Sequence, residues 1–169
     1  MDLDYKKLVK SADRKKVKTT LKKTEGKGVG LYSTKKIEQG EVIAYYRIKV
    51  FRQKDYESPT KGTYTFEIYR KNGEAYKRLI GDIAEDSFPN PGEDNITFWA
   101  PFANEPTVQQ RTNAEIDTNV KETYLNKTFS MIDDIVDYKL VASRDIAPNE
   151  EIMWYYGDQY SRNYKVGKK

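Results

Sequence analysis

Short runs of alternating apolar and polar residues, separated by turn-forming residues, are the main pattern along this chain. Thr63–Arg70 alternates aromatic or aliphatic side chains with polar ones, which is the two-residue period of a strand. Asn72-Gly73 predicts a hairpin turn directly after it, and Ala75–Asp82 is predicted as the returning strand. Glu41–Arg52 is rich in β-branched and aromatic residues and predicts another strand.

The remaining segments predict more strands and little helix. The further strand candidates are Val17–Leu21, Leu31–Ile37, Asn119–Ser130 and Met131–Ser143. Residues 2–15 predict one short basic helix with few apolar positions. Because strands do not alternate with helices, the pattern argues against a doubly wound parallel sheet. We therefore predict a mostly β domain of the β-rich α+β class.

The composition excludes several kinds of chemistry. The chain has 169 residues, no cysteine and no histidine. Disulfides and cysteine-ligated zinc are excluded, and the most common general base and metal ligand is missing. We expect no metal site. Any reaction must use tyrosine, carboxylates, lysine, main-chain groups or a bound cofactor, and the 14 tyrosines suit aromatic pockets that also form hydrogen bonds.

The charge of the chain is mildly basic, with a formal net charge of +4 and lysines concentrated at both ends. This excess favours acidic partners such as nucleic acid or nucleosomes, and it fits an ordinary solvated surface equally well. No apolar run approaches the ~20 residues of a membrane span, and the N-terminus lacks the apolar core of a signal peptide. We expect an intracellular protein, nuclear or cytoplasmic, which acts in a host cell if its source is viral or bacterial.

The segment Gly26–Gly30 reads Gly-Lys-Gly-Val-Gly and predicts a glycine-rich turn. A dinucleotide site requires Gly-x-Gly-x-x-Gly between a strand and a helix, and neither that spacing nor a following helix is present. Glycines allow the backbone to approach a ligand closely. On its own, however, the motif is explained more simply as a tight hairpin turn.

Three blocks of sequence carry a more specific signal. Glu25–Tyr46 combines the glycine turn with Gly-Glu and a strand that ends in tyrosine. Phe102–Pro106 and Thr112–Ala114 each contribute an asparagine, and Val141–Gly157 contains Ala-Ser-Arg-Asp-Ile, Glu-Glu-Ile and Tyr-Gly. In this order and at these distances, the blocks together resemble the SET-domain protein lysine methyltransferases, in their small, zinc-free form.

The resemblance implies a fold of small curved sheets, with the Asn104 segment threaded beneath the loop around Tyr156 as a pseudoknot. It implies S-adenosylmethionine as cofactor, S-adenosylhomocysteine as product, and a lysine of a histone or another protein as substrate. The protein would act as a monomer or homodimer. The implied divisions are a basic arm (1–19), a SET domain (20–157) and a short tail (158–169) that closes the lysine channel.

The resemblance also implies roles for individual residues. Tyr156 and Tyr46 would be catalytic, and with Trp154 they would bind the substrate lysine. Trp154 stands where the family usually carries Phe or Tyr, a position linked to the number of methyl groups added. Glu105 stands where the family usually has histidine, and we expect Arg111 to pair with it. The implied cofactor-binding residues are Lys27, Gly28, Val29, Tyr64, Asn104 and Glu105.

Methyl transfer from a sulfonium suits a chain without histidine. The reaction is an in-line displacement, so alignment supplies much of the rate. The attacking amine must be neutral, and a narrow aromatic channel disfavours the ammonium form. Two other functions stay open. One is a catalytically weak or inactive SET-like module that binds protein or chromatin, motivated by Glu105. The other is a basic nucleic-acid-binding protein whose tyrosines stack on bases.

Overall fold

In a computed structural model, the chain is described over residues 18–56, 65–69, 74–83, 99–118, 135–157, 160 and 162–167. The strands in these ranges are β1 (Thr19–Thr24), β2 (Gly28–Ser33), β3 (Val42–Arg52), β4 (Thr65–Phe66), β5 (Leu79–Asp82), β6 (Ala114–Asp117) and β7 (Ile135–Ala142). Short 3₁₀ turns occupy Gln53–Asp55 and Ala100–Phe102. Within the described ranges there is no α-helix, and hence no helix that could span a membrane. The helix predicted at residues 2–15 lies outside them.

The strands form two sheets. β1 and β2 make an antiparallel hairpin, which starts two residues later than the predicted strand Val17–Leu21. The second sheet has the strand order β4-β5-β3-β7-β6, with β5 antiparallel to both β3 and β4. The pairing of β4 with β5 confirms the hairpin predicted for Thr63–Arg70 and Ala75–Asp82, with shorter strands. The predicted turn at Asn72-Gly73 lies outside the described residues.

The described residues within 1–44, 89–116 and 140–169 form one compact unit. In this unit Ile152 donates its main-chain N–H to the carbonyl of Leu31 in β2 (2.8 Å), and Trp154 donates to the carbonyl of Asn104 (3.1 Å). Residues 150–154 therefore run between β2 and the segment that contains Asn104. This is the threading expected of the pseudoknot, and it brings the glycine turn, Asn104 and the C-terminal block of the sequence together.

The described residues within 45–88 and 117–139 form a second compact unit. Along β3 the side chains of Tyr46, Ile48 and Val50 are buried, whereas those between them are partly exposed, as the two-residue period of a strand requires. The buried Tyr138 donates its hydroxyl to the carbonyl of Glu67 (2.7 Å). Burial raises the pKa of Tyr138 far above its ordinary value, so this hydroxyl stays protonated as a donor.

Candidate active site

The second predicted asparagine, Asn113, has a structural role: it binds the main chain of residues 151–153. It is fully buried, and its carboxamide donates to the carbonyl of Glu151 (2.7 Å) and accepts from the N–H of Met153 (2.8 Å). A buried amide that satisfies main-chain groups in this way fixes the path of the backbone. Asn113 therefore fixes the backbone of residues 151–153, which lead directly to Tyr156.

Asn104 joins the glycine turn to the same segment. Its carboxamide donates to the carbonyl of Val29 (2.9 Å) and to the carboxylate of Glu151 (3.3 Å). The side chains around Gly30 also lie close to it, since a Cβ there would be 2.4 Å from Thr24 Oγ1 and 3.2 Å from Glu151 Oε2. The structure thus brings together the predicted residues Val29 and Asn104.

The side chain of Lys27 points into the protein, with 15% of its area exposed. Its ammonium lies 3.0 Å from Gln110 Oε1, 3.5 Å from Glu151 Oε1 and 3.5 Å from Met153 Sδ. Lys27 therefore ties the glycine turn to the C-terminal block through its side chain. A role of Lys27, Gly28 and Val29 toward the cofactor would then fall to their main-chain groups, as the sequence resemblance implies.

Tyr156 is held at both ends by the residues around Asn104. Its hydroxyl donates to the carbonyl of Ala103 (2.6 Å), and its main-chain N–H donates to the carboxylate of Glu105 (2.8 Å). Its ring contacts that of Trp154 at 5.0 Å and that of Tyr160 at 4.8 Å, both edge to face. Such pairs stabilise beyond the area they bury, so the position of the Tyr156 ring is well determined.

The carboxylate of Glu105 is 1% exposed and is paired with Arg162, not with Arg111 as predicted. Nε and Nη2 of Arg162 donate to its two oxygens at 2.8 and 2.9 Å, and the hydroxyl of Tyr164 donates at 2.8 Å. A guanidinium forms two parallel bonds with a carboxylate, and a buried charge requires such a partner. The predicted pairing with Arg111 was wrong because the arginine that meets Glu105 lies in the C-terminal tail.

These contacts shift the ionisation of both tail residues. Burial lowers the pKa of Arg162, but its hydrogen bonds with Glu105 and the charge of that carboxylate more than offset this, and the net pKa is raised. Burial, followed by the hydrogen bond to Glu105, raises the pKa of Tyr164 to about 12. Both groups are therefore fixed as donors to Glu105 at neutral pH.

The C-terminal tail packs on the candidate site. The guanidinium of Arg162 lies 5.3 Å from the ring centres of both Tyr155 and Tyr160. Further along, the N–H of Gly167 donates to the carbonyl of Pro106 (2.9 Å), in a space so narrow that a Cβ at Gly167 would lie 2.1 Å from a backbone oxygen. The tail thus covers Tyr156 and the segment after Asn104. Closure of a lysine channel by this tail stays a prediction.

Trp154 is buried, with 6% of its area exposed, and lies at the edge of a half-open cavity of about 590 Å³. The other residues that line this cavity are Arg111, Thr112, Ala114, Glu115, Ile116, Ser143, Arg144 and Tyr155. The indole of Trp154 thus contributes to the lining of this cavity and also contacts the ring of Tyr156.

Two predicted site residues, Tyr46 and Tyr64, are not among the described residues of the first compact unit. Tyr46 is a residue of the second unit, where it is 1% exposed and packs its ring at 5.1 Å from that of Phe66. Tyr64 lies outside the described residues. The catalytic role of Tyr46 and the cofactor contact of Tyr64 therefore stay predictions.

Sequence reasoning missed two residues of the site, Glu151 and Arg162. Glu151 was visible only as part of the Glu-Glu-Ile motif. In the structure it is buried and forms hydrogen bonds with both Lys27 and Asn104. Arg162 is the single arginine of a tail whose other basic residues are lysines. A buried glutamate in place of histidine requires a cation that can bind both of its oxygens, as an arginine guanidinium does. That requirement could have indicated Arg162.

A comparison with protein families identifies the class of this chain. The SET domain family matches residues 28–157. The chain therefore belongs to the SET-domain family, which is a family of methyltransferases. The predicted mostly β SET-domain fold is confirmed. No curated protein matches the sequence significantly.

The solved structures that match this chain are distant in sequence. A Plasmodium falciparum protein proposed to be a histone methyltransferase is 18% identical, with a TM-score of 0.46, over 86% of this chain and 97% of that chain. The methyltransferase domain of human PR domain-containing protein 2 is 19% identical, with a TM-score of 0.45, over 85% of this chain and 80% of that chain.

Proposed function

We propose that this protein is a protein lysine N-methyltransferase that uses S-adenosylmethionine and acts on a histone or another protein. The observation that carries the proposal is the attachment of Tyr156, at its hydroxyl and at its main-chain N–H, to the residues on either side of Asn104. In a member of the SET-domain family, this arrangement holds a tyrosine hydroxyl next to the segment proposed to bind the cofactor.

The residues around Asn104 fit the proposed cofactor. Glu105 is buried, yet neither its main-chain N–H nor its C=O has a hydrogen-bond partner among the described residues. Buried main-chain groups are normally paired, and an adenine edge offers the donor and the acceptor that would pair them. The carbonyl of Val29 accepts a hydrogen bond from Asn104, so the glycine turn lies beside the segment that contains Asn104 and Glu105.

Bound S-adenosylmethionine would supply a methyl group on a positively charged sulfur. In the proposed reaction the lysine nitrogen would form an N–C bond as the C–S bond breaks, and it would then release one proton to solvent. Because the barrier of such a displacement depends on alignment, the protein contributes mainly by fixing the amine in line with the methyl group. No acid or base of the protein has to enter the methyl transfer itself.

Tyr156 and its neighbours are suited to this positioning. A hydroxyl whose proton is donated to a carbonyl, as that of Tyr156 is to Ala103, acts toward other groups as an acceptor. An acceptor orients a neutral amine through its N–H. The surrounding rings of Trp154 and Tyr160 reduce hydration, and poor hydration disfavours the ammonium form of the substrate lysine.

The proposal is tested by two measurements on the full chain. Calorimetry should detect binding of S-adenosylmethionine, and labelled cofactor should transfer its methyl group to one or more proteins of a histone panel or a lysate. Tyr156→Phe should bind the cofactor but transfer its methyl group slowly. Cofactor binding without transfer to any protein would instead favour the non-catalytic SET-like module, and absence of binding would contradict the proposal as a whole.

A further inference from the structure

We propose that Glu105 and Arg162 form a positioning pair, which couples docking of the C-terminal tail, residues 160–167, to the placement of Tyr156. The kinetic part of this inference rests on the proposed methyl transfer. The coupling itself is a property of the folded chain, and it can be measured without any reaction.

The carboxylate of Glu105 connects the tail to the main chain at Tyr156. Oε2 accepts from the N–H of Tyr156 and from Nη2 of Arg162, while Oε1 accepts from Nε of Arg162 and from the hydroxyl of Tyr164. Each oxygen therefore has a bond to the tail, and one of them also bonds the residue that orients the substrate. A shift of the tail moves the carboxylate, and the carboxylate is the partner of the Tyr156 N–H.

A second connection runs through the aromatic rings. Tyr160 contacts the ring of Tyr156 at 4.8 Å, and the guanidinium of Arg162 lies 5.3 Å from the rings of Tyr160 and Tyr155. Such contacts between a guanidinium and ring faces hold both rings in place. Arg162 therefore fixes Tyr160 against Tyr156 as well as fixing Glu105. Loss of the ion pair would release the ring of Tyr156 on one side and its N–H on the other.

The far end of the tail gives an independent way to release it. Gly167 donates its N–H to Pro106, and a Cβ at Gly167 would lie 2.1 Å from the carbonyl oxygen of Thr107 and 2.4 Å from that of Gln110. Both of these oxygens are backbone atoms, which cannot move away by a change of side-chain rotamer. Gly167→Ala should therefore undock the tail while the side chains of Glu105, Arg162 and Tyr156 remain chemically unchanged.

The inference predicts a specific kinetic result. If the pair acts by positioning Tyr156, its loss should reduce alignment in the transition state more than binding in the ground state. For Glu105→Gln we expect kcat to fall by about tenfold or more, while KM for S-adenosylmethionine changes by less than about threefold. Gly167→Ala should give the same pattern, because it removes the same docked tail.

Hydrogen exchange of the amides tests the coupling directly. In Glu105→Gln, and separately in Gly167→Ala, we expect faster exchange over residues 160–167 and also at the N–H of Tyr156. Lys18→Gln, which removes an exposed ion pair with Glu41 in the same compact unit, is the matched control and should leave exchange and kinetics unchanged.

The outcomes separate this inference from the proposed function. If the wild type transfers no methyl group, the proposed function fails, and exchange at Tyr156 still decides whether the tail is coupled to it. If Gly167→Ala releases the tail but leaves exchange at Tyr156 and kcat at wild-type values, the coupling is contradicted. The same holds if Glu105→Gln is folded and its tail remains protected from exchange.

Discussion

The guanidinium of Arg162 forms a two-pronged ion pair with the buried carboxylate of Glu105, with Nε to Oε1 at 2.8 Å and Nη2 to Oε2 at 2.9 Å. Glu105 stands at a position where related sequences are expected to carry histidine. A carboxylate buried there alone would be costly, and the tail supplies the cation that compensates it. The departure from the family motif and the structure of the tail are therefore two parts of one feature.

Removal of one partner from this pair should destabilise the protein strongly. Arg162→Gln leaves the carboxylate of Glu105 buried with neutral donors only, so we expect the free energy of unfolding to fall by about 3 kcal/mol. Glu105→Gln combined with Arg162→Gln should cost less than the sum of the single changes. Urea unfolding of the wild type, the two single variants and the double variant measures these losses of stability. Strictly additive losses would show that the two side chains are not coupled.

The ion pair between Arg144 and Glu150 should make stability depend on pH in the acid range. Burial raises the pKa of Glu150, but hydrogen bonds from Arg144 and from the N–H of Ala147 outweigh it, and the net pKa lies below its ordinary value of 4.5. This contribution to stability is present above pH 4.5 and is lost as the pH falls through the lowered pKa.

Arg144→Gln tests that prediction. The difference in unfolding free energy between wild type and Arg144→Gln should be larger at neutral pH than at a pH below the folded-state pKa of Glu150. We expect a small effect, since the Arg144 side chain is 48% exposed and water screens the pair. A difference that grows toward acid pH would have the wrong sign for this account.

Tyr164 should lose its contribution to stability at alkaline pH. Its pKa in the folded protein is raised to about 12 from an ordinary value of 10.0, first by burial and then by Glu105. The contribution is therefore complete below pH 10.0 and disappears as the pH rises toward about 12. Tyr164→Phe should be less stable than wild type at neutral pH, and this gap should narrow above pH 10.0. An ultraviolet titration should show one fewer late-titrating tyrosine in Tyr164→Phe than in the wild type. Equal numbers of late-titrating tyrosines in the two proteins would count against this assignment.

Trp154 should restrict the number of methyl groups added. Its indole is buried and contacts the ring of Tyr156, so we expect it to limit the space for methyl groups on the substrate nitrogen. Trp154→Phe removes volume while keeping an aromatic ring, so we expect the product to shift from lower toward higher methylation states. Mass spectrometry of a methylated peptide distinguishes these states by mass. Mainly trimethylated product from the wild type would refute a restricted pocket.

The strand pattern could be predicted from sequence for a physical reason. Burial along β3 alternates with every residue, and a local period of this kind is visible in the sequence. Tyr156 and Asn104 lie in short motifs whose members are close in sequence. The hairpin turn that holds Lys27 and Gly28 was likewise visible from its glycines.

The ion pairs of the site could not be predicted in this way. Glu105 and Arg162 are 57 residues apart, and Asn104 and Glu151 are 47 residues apart, so no local pattern connects them. The predicted pairing of Glu105 with Arg111 relied on nearness in sequence, and the structure pairs Glu105 with Arg162 instead. Only the return of the tail over Pro106, where Gly167 docks, decides which arginine is within reach.

Methylation of lysine by the full chain is the most direct test of the central claim. Wild type and Tyr156→Phe would each be incubated with S-adenosylmethionine and a panel of histone and lysate proteins, and lysine-containing peptides would be analysed by mass spectrometry. The account predicts a methyl group on specific lysines with the wild type, and a rate lower by about tenfold or more with Tyr156→Phe at unchanged cofactor affinity. A wild type that binds S-adenosylmethionine but methylates no lysine, or a Tyr156→Phe variant that works at the wild-type rate, would contradict it.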